Sequence, residues 1–192
     1  MSKCFYRLIN TIIFNQPYQL ITKKVDMKPI FLVLILLICS NIIAQDAKSY
    51  FDSGNEKYKV SDYKGAIVDY NKAIQLDPDY INAYSSRGWA KISTEDYKGA
   101  MADFNTAIRL DPEEPNAYNS RGFLKGFLDD HRGAIQDFNK SIKLDPEYET
   151  AYYNRGIAKK ELGDINGACW DWSKAGELGD YSAYEKIREF CN

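Results

Sequence analysis

The stretch AYNSRGFLKGFLDDHRGAIQDFNKSIKLDP, residues 117–146, has a close copy one period of 34 residues earlier in AYSSRGWAKISTEDYKGAMADFNTAIRLDP, residues 83–112. The tripeptide that ends both copies recurs, once in degenerate form, at 76–78, 110–112, 144–146 and 178–180. Four more columns keep the period: Tyr50, Tyr84, Tyr118 and Tyr152; Gly54, Gly88, Gly122 and Gly156; Ala66, Ala100, Ala134 and Ala168; Tyr70, Phe104, Phe138 and Trp172. A fixed period of this length indicates an array of repeated structural units.

Each unit is predicted to be a pair of helices. In the second copy the first helix runs from about Asn82 to Ser93, and Asp96 is placed to accept the free N–H groups at the start of the second helix. That second helix carries one apolar stripe at Ala100, Met101, Phe104, Ala107 and Ile108. The Asp-Pro pair then ends it, because proline disfavours the α conformation in the residue before it.

The glycine and alanine columns let the two helices of a pair approach closely, while the aromatic column fills the seam. With the 34-residue period, these columns resemble the tetratricopeptide repeat family. The resemblance implies an all-α superhelical solenoid of four helical hairpins over residues 47–180, closed by a C-terminal capping helix at 181–192. The four repeats are 47–80, 81–114, 115–148 and 149–180.

The N-terminus has a different composition. Residues 27–44 combine a basic start, an apolar run and a small residue at Ala44, which predicts a secretory signal peptide; residues 1–26 are then a mis-assigned start or a longer basic region. A transmembrane anchor is the alternative, although Ser40 and Asn41 interrupt the run. Lipidation at Cys39 is another. We therefore expect an exported protein, periplasmic or secreted, with an outer-membrane lipoprotein as the alternative.

Composition argues against several classes of function. The 192 residues carry a net charge of −2, and residues 45–192 hold 20 basic against 26 acidic side chains, so nucleic acid is not an expected partner. His131 is the only histidine; it stands in a tyrosine column, where we interpret it as structural. Neither a metal-ligand spacing nor a glycine-rich phosphate loop occurs, so we expect no enzyme activity, no cofactor and no metal.

Two basic columns keep the period where the family usually has apolar residues: Arg87, Arg121 and Arg155; Lys57, Lys91, Lys125 and Lys159. A third charged column, just before the aromatic column of the second helix, consists of Asp69, Asp103, Asp137 and Asp171. Ser53 replaces the arginine in the first repeat. Arginine and lysine share a helix face at this spacing. Either the columns bind an acidic ligand, or each aspartate is neutralised within the array.

The resemblance also implies a partner site, because first helices line the concave face of such arrays. The predicted partner-binding residues there are Asn82, Ser85, Trp89, Asn116, Asn119, Phe123, Phe127, Tyr153 and Asn154. Aromatic rings beside asparagines suit a peptide or a helix of a protein partner, unless Trp89 and Phe123 pack between neighbouring helices instead. The positions at which one subclass grips a C-terminal carboxylate hold no lysine or arginine, so that mode is not supported.

We therefore predict a protein–protein interaction scaffold or adaptor. The alternative is a lipid-anchored or soluble structural subunit of a cell-envelope complex without a peptide groove of its own. Cys169 lies in an apolar column and Cys191 on the predicted capping helix. Whether they form a disulfide depends on geometry that the sequence does not give.

Overall fold

The structure is a computed structural model that describes residues 45–191, all within one compact unit. The predicted signal peptide at 27–44, the segment 1–26 and Cys39 lie outside the described residues. Within residues 45–191 the chain forms nine α-helices and no strand. They are α1 (45–59), α2 (Tyr63–Leu76), α3 (Ile81–Ser93), α4 (Tyr97–Leu110), α5 (Pro115–Phe127), α6 (His131–Leu144), α7 (Glu149–Glu161), α8 (Ile165–Glu177) and α9 (Ala183–Phe190).

The second helix of every pair starts with the same cap. The side chains of Asp62, Asp96, Asp130 and Asp164 each accept a hydrogen bond from the backbone N–H of the glycine three residues later, at 2.9 Å. This confirms the N-cap prediction, and each such bond satisfies one of the four free N–H groups of a first turn. The aspartates before proline at the far end, Asp77, Asp111 and Asp145, are extended and end α2, α4 and α6.

The glycine column explains how the two helices of a hairpin meet. A Cβ atom at Gly88 would lie 2.6 Å from the ring of Phe104, a distance at which something must move. Phe104 is fully buried between the helices, and the same relation pairs Gly54 with Tyr70 and Gly156 with Trp172. Only glycine leaves room for a ring this close to the partner backbone.

Polar bonds join successive repeats. One nitrogen of each arginine in the charged columns, Nη1, donates to an asparagine on the second helix of the preceding repeat. The three pairs are Arg87–Asn71 at 2.6 Å, Arg121–Asn105 at 2.8 Å and Arg155–Asn139 at 2.6 Å. Because the bond is the same at each junction, these pairs set a common orientation of one repeat against the next.

The last helix, α9, packs against α8 at the C-terminal end of the array. Its Ala183 is fully buried, and the ring of Phe190 lies 5.7 Å from that of the buried Trp172. Cys169 of α8 and Cys191 form a disulfide with their Cα atoms 5.7 Å apart. The structure thus answers the question that the sequence left open about the two cysteines.

Candidate partner-binding groove

The first helices of the four pairs, α1, α3, α5 and α7, form one continuous face, which we call the groove. Helix α5 contacts both α3 and α7, so these side chains meet across the helices. One column of the repeat supplies the middle of the groove with Asn55, Trp89, Phe123 and Ile157. Its members differ from repeat to repeat, unlike the columns that build the hairpins.

Trp89 and Phe123 form an aromatic pair at the centre of the groove. Their ring centroids are 4.9 Å apart, and Trp89 also meets Phe104 edge-on at 6.0 Å. The indole N–H of Trp89 donates to Ser120 Oγ at 3.1 Å. Trp89 is half-buried, whereas Phe123 keeps 37% of its surface exposed. The pair therefore both packs between neighbouring helices and presents apolar surface.

A cleft of about 290 Å³ opens on the C-terminal side of this pair; we call it the large cleft. Phe127, 55% exposed, and Ile157, 36% exposed, contribute to its walls. Its apolar lining consists of Phe123, Gly126, Phe127, Phe138, Ile157 and Ala158. Its polar rim consists of Asp129, His131, Asn154 and Glu161.

The rim of the large cleft is acidic. The side chain of Asp129 is 96% exposed, and its charged-group contact is His131 Nε2 at 3.9 Å. Glu161 pairs with Lys160 at 2.7 Å; that hydrogen bond, with the charge of Lys160, lowers the pKa of Glu161. Because Lys160 offsets Glu161, the exposed carboxylate of Asp129 is the group that makes the rim acidic.

A smaller cleft of about 140 Å³, the small cleft, lies on the N-terminal side of the aromatic pair, between Trp89 and α1. Its lining consists of Asn55, Tyr58, Tyr70, Ser86 and Trp89. The hydroxyl of Tyr70 donates to Asn55 Oδ1 at 2.8 Å, and burial raises the pKa of Tyr70 to about 12. Tyr70 is therefore a neutral, fixed wall at physiological pH.

The predicted asparagines are largely engaged with one another. Asn154 Nδ2 donates to Asn119 Oδ1 at 3.1 Å, and Asn119 Nδ2 donates to the hydroxyl of Tyr148 at 3.4 Å. Asn116 Oδ1 accepts from Ser120 Oγ at 3.2 Å. Asn119 is only 4% exposed, so its amide bonds stay within the array. The other predicted residues are more accessible: Asn82 and Asn116 are exposed, and Ser85, Tyr153 and Asn154 are half-buried.

The charged columns lie inside the repeats. Asp103 Oδ2 accepts from Arg87 Nε at 2.9 Å, Asp103 Oδ1 accepts from Arg87 Nη2 at 2.6 Å, and Lys91 Nζ lies 2.9 Å from Oδ2. The third and fourth repeats have the same arrangement around Asp137 and Asp171. Of the two interpretations, the geometry is that of internal neutralisation, because each aspartate is buried and held by bases of its own repeat.

In the first repeat, where serine replaces arginine, Ser53 Oγ donates to Asp69 at 2.7 Å and Lys57 Nζ lies 2.6 Å away. Burial alone would raise the pKa of Asp69. The hydrogen bonds from Lys57 and Ser53 outweigh burial, so the pKa of Asp69 lies below its usual value.

The rim residues Asp129, His131 and Glu161 were not predicted as site residues. Asp129 lies in the turn between α5 and α6, His131 is the first residue of α6, and Glu161 is the last residue of α7, so all three stand outside the first-helix columns that the resemblance marks. The repeat does mark the position of Asp129, because Ser61 and Glu95 stand in the same turn column. All three residues adopt a left-handed backbone, with φ of 62–64°. Within residues 45–191, neither a metal-ligand cluster nor a helix long and apolar enough to span a membrane is found.

Comparison with known protein families identifies the same repeat. The family described as TPR repeat matches residues 54–91, 90–126 and 129–168. No curated protein matches the sequence.

Solved structures also resemble the chain. A crystal structure of MamA protein is 25% identical with a TM-score of 0.63, covering 74% of this chain and 79% of MamA. The first TPR of Spaghetti (RPAP3), bound to the HSP90 peptide SRMEEVD, is 25% identical with a TM-score of 0.59, covering 62% of this chain and 95% of that domain. Pseudomonas aeruginosa PilF shares the fold at 18% identity, with a TM-score of 0.68 and coverages of 77% and 71%.

Proposed function

The chain belongs to the tetratricopeptide repeat family, whose members serve as protein–protein interaction scaffolds, and we propose that it binds a peptide or helix of a partner protein in the groove. The observation that carries the proposal is the large cleft, where Phe123, Phe127 and Ile157 keep between 36% and 55% of their surface exposed around one concavity. Clustered exposed aromatic and aliphatic side chains on a rigid face are typical anchors for a partner.

The charge of the groove bears on the class of partner. The peptide in the RPAP3 domain carries three acidic residues and one basic residue. In this chain the large cleft has an acidic rim, and residues 45–192 carry six more acidic than basic side chains. Like charges across an interface disfavour binding, so we expect neutral or basic partners here.

Panning a displayed library of random peptides against the purified protein tests the proposal. We expect enriched peptides that lose binding to Phe127→Ala and to Ile157→Ala, because each substitution removes part of the cleft wall. Tyr181→Ala is the matched control: Tyr181 is 80% exposed but lies after α8, away from the groove. Peptides that bind both groove variants as well as the wild type would refute the groove assignment and favour the structural subunit without its own groove.

We also propose export, by the signal peptide at 27–44. The disulfide between Cys169 and Cys191 supports it, because such bonds persist mainly in oxidising compartments. The mass of the mature N-terminus is the test. A start at Gln45 agrees with cleavage after Ala44, a diacylated Cys39 identifies a lipoprotein, and an intact N-terminus in a cytosolic fraction contradicts export.

A further inference from the structure

Two clefts of the groove lie on either side of the Trp89–Phe123 pair, and their positions restrict the partner further than a general peptide site does. The small cleft lies between α1 and α3, and the large cleft lies between α5 and α7. The Trp89–Phe123 pair stands between them, with Trp89 lining the first and Phe123 the second. An engineered cavity of about 150 Å³ holds one benzene molecule, so each cleft can take one apolar side chain.

The distance between the clefts favours an extended partner. Packed neighbouring helices lie about 8–10 Å apart, and the clefts are two repeats apart, which puts them about 20 Å from each other. An extended chain covers that distance in about six residues, at about 3.3 Å per residue. Side chains six residues apart on an extended chain point to the same side, so both can enter the groove. A helix would need about thirteen residues at 1.5 Å each.

Charge adds a second restriction at one end. Asp129 is almost fully exposed at the rim of the large cleft, and among residues 45–191 its ion-pair contact is the imidazole of His131, 3.9 Å away. A lysine or arginine next to the anchor in the large cleft would meet this carboxylate. An exposed pair of this kind contributes modestly to affinity, but it discriminates against acidic partners.

We propose that the groove recognises an extended segment with two apolar side chains about six residues apart, one for each cleft, and a basic residue beside the anchor in the large cleft. This inference rests on the proposed function. It identifies the partner as a segment that is unstructured before binding, since its main chain must be free to lie extended across four helices.

Labelled synthetic peptides with two leucines, a threonine-rich spacer of varied length and one terminal lysine test the spacing by fluorescence anisotropy, because β-branched residues favour an extended chain. We expect affinity to peak at about five intervening residues. Replacing either leucine with serine should lower it about tenfold, the usual effect of losing one buried aliphatic side chain. An optimum near twelve intervening residues would indicate a helix or a flexible coil of the same span, and a flat profile would show independent contacts. Either result overturns the proposal.

Two cleft-filling variants test the positions. A Cβ atom at Gly126 would lie 3.7 Å from Ala134 Cβ, an ordinary contact, so the first atom of a larger side chain fits here and Gly126→Leu should narrow the large cleft that Gly126 lines. Ser86→Leu should fill the small cleft. We expect each variant to weaken binding of the best two-leucine peptide about tenfold, while Tyr181→Ala binds it like the wild type. Unchanged binding to both filled variants, with wild-type unfolding curves, places the peptide elsewhere and overturns the proposal.

Asp129→Asn tests the basic residue, because asparagine tolerates the left-handed backbone of this position and only the charge is lost. At low ionic strength, replacing the peptide lysine with glutamine should weaken wild-type binding about threefold and leave Asp129→Asn unaffected. Glu113→Gln, an exposed acid at the opposite end of the hairpins, should behave like the wild type. If the library yields groove-dependent peptides but these do not show the spacing or the lysine, this inference fails while the proposed function stands.

Discussion

Replacing Asp103 with alanine should destabilise the array strongly, because it removes the carboxylate that pairs with two basic side chains. Asp103 is 3% exposed, and the side chains of Arg87 and Lys91 are 15% and 17% exposed. Removing one partner of a buried ion pair costs about 3–5 kcal/mol, whereas exposed pairs contribute about 0–1 kcal/mol. Arg87 keeps its bond to Asn71, and both bases retain some contact with water. We therefore expect the free energy of unfolding to fall by about 3 kcal/mol.

The first repeat provides a matched comparison. Asp69 occupies the same column, but its partners are the neutral Ser53 and Lys57, whose side chain is 38% exposed. Asp69→Ala leaves one base that water can reach, so we expect it to cost about 1 kcal/mol. The difference between the two variants combines the contribution of the arginine with that of the deeper burial of Lys91.

Urea unfolding followed by circular dichroism, with the disulfide intact, measures both variants. For a chain of this size, 3 kcal/mol corresponds to a fall in melting temperature of about 6–12 °C. If Asp103→Ala lowers the free energy of unfolding no more than Asp69→Ala does, burial of the two bases does not account for the contribution of Asp103 to stability. If Asp103→Ala unfolds like the wild type but loses an acidic partner, the charged columns bind a ligand and the internal interpretation is wrong.

Three further predictions follow from the same contacts. Because the pKa of Asp69 is lowered in the folded state, its contribution to stability is complete above the unfolded pKa of about 4 and is lost as pH falls through the lower folded value. The urea midpoint of Asp69→Asn should therefore fall less than that of the wild type between about pH 5 and pH 2, and parallel curves would contradict this. Deleting residues 181–192 should destabilise the protein more than Cys191→Ser does. Cys191→Ser opens only the disulfide and should lower the free energy of unfolding by about 3 kcal/mol, for a sequence separation of 22. Equal falls in melting temperature for the two variants would contradict the capping role of α9. Trp89→Ala should lower both stability and peptide affinity, by about 2 kcal/mol each, whereas Phe127→Ala should lower affinity alone. Titration calorimetry measures the affinity and urea unfolding measures the stability. A loss of stability in Phe127→Ala would disagree with the exposure of this side chain.

The hairpins could be predicted from sequence because the interactions that form them are local. Asp96 caps a helix whose first N–H groups are three residues away, and the Asp-Pro pair acts on its own backbone. Gly88 and Phe104 meet within one unit, so the requirement recurs with every repeat and becomes visible as a column. A repeated sequence gives four readings of the same local rule.

The groove was harder to predict because its chemistry is not repeated. Trp89 and Phe123 could be placed on it from their column, but the sequence did not decide between exposed and packed rings. The structure shows both, since a ring at a junction of repeats touches one neighbour and leaves one edge free. Asn119 illustrates the other difficulty: its burial depends on the hydroxyl of Tyr148, which is 29 residues away.

The bonds from arginine to the preceding repeat give the array a direction. Arg87, Arg121 and Arg155 each attach their repeat to the one before it, whereas the first repeat has Ser53 in this column and holds its buried Asp69 with one base instead of two. The opposite end is closed by α9 and the disulfide. Local opening should therefore start in α1 and α2 and proceed toward α8, as in a zipper with one fixed end. Amide protons would exchange fastest around the small cleft and slowest beside Trp172. A bound segment would therefore contact a groove that opens often at its N-terminal end and rarely at its C-terminal end.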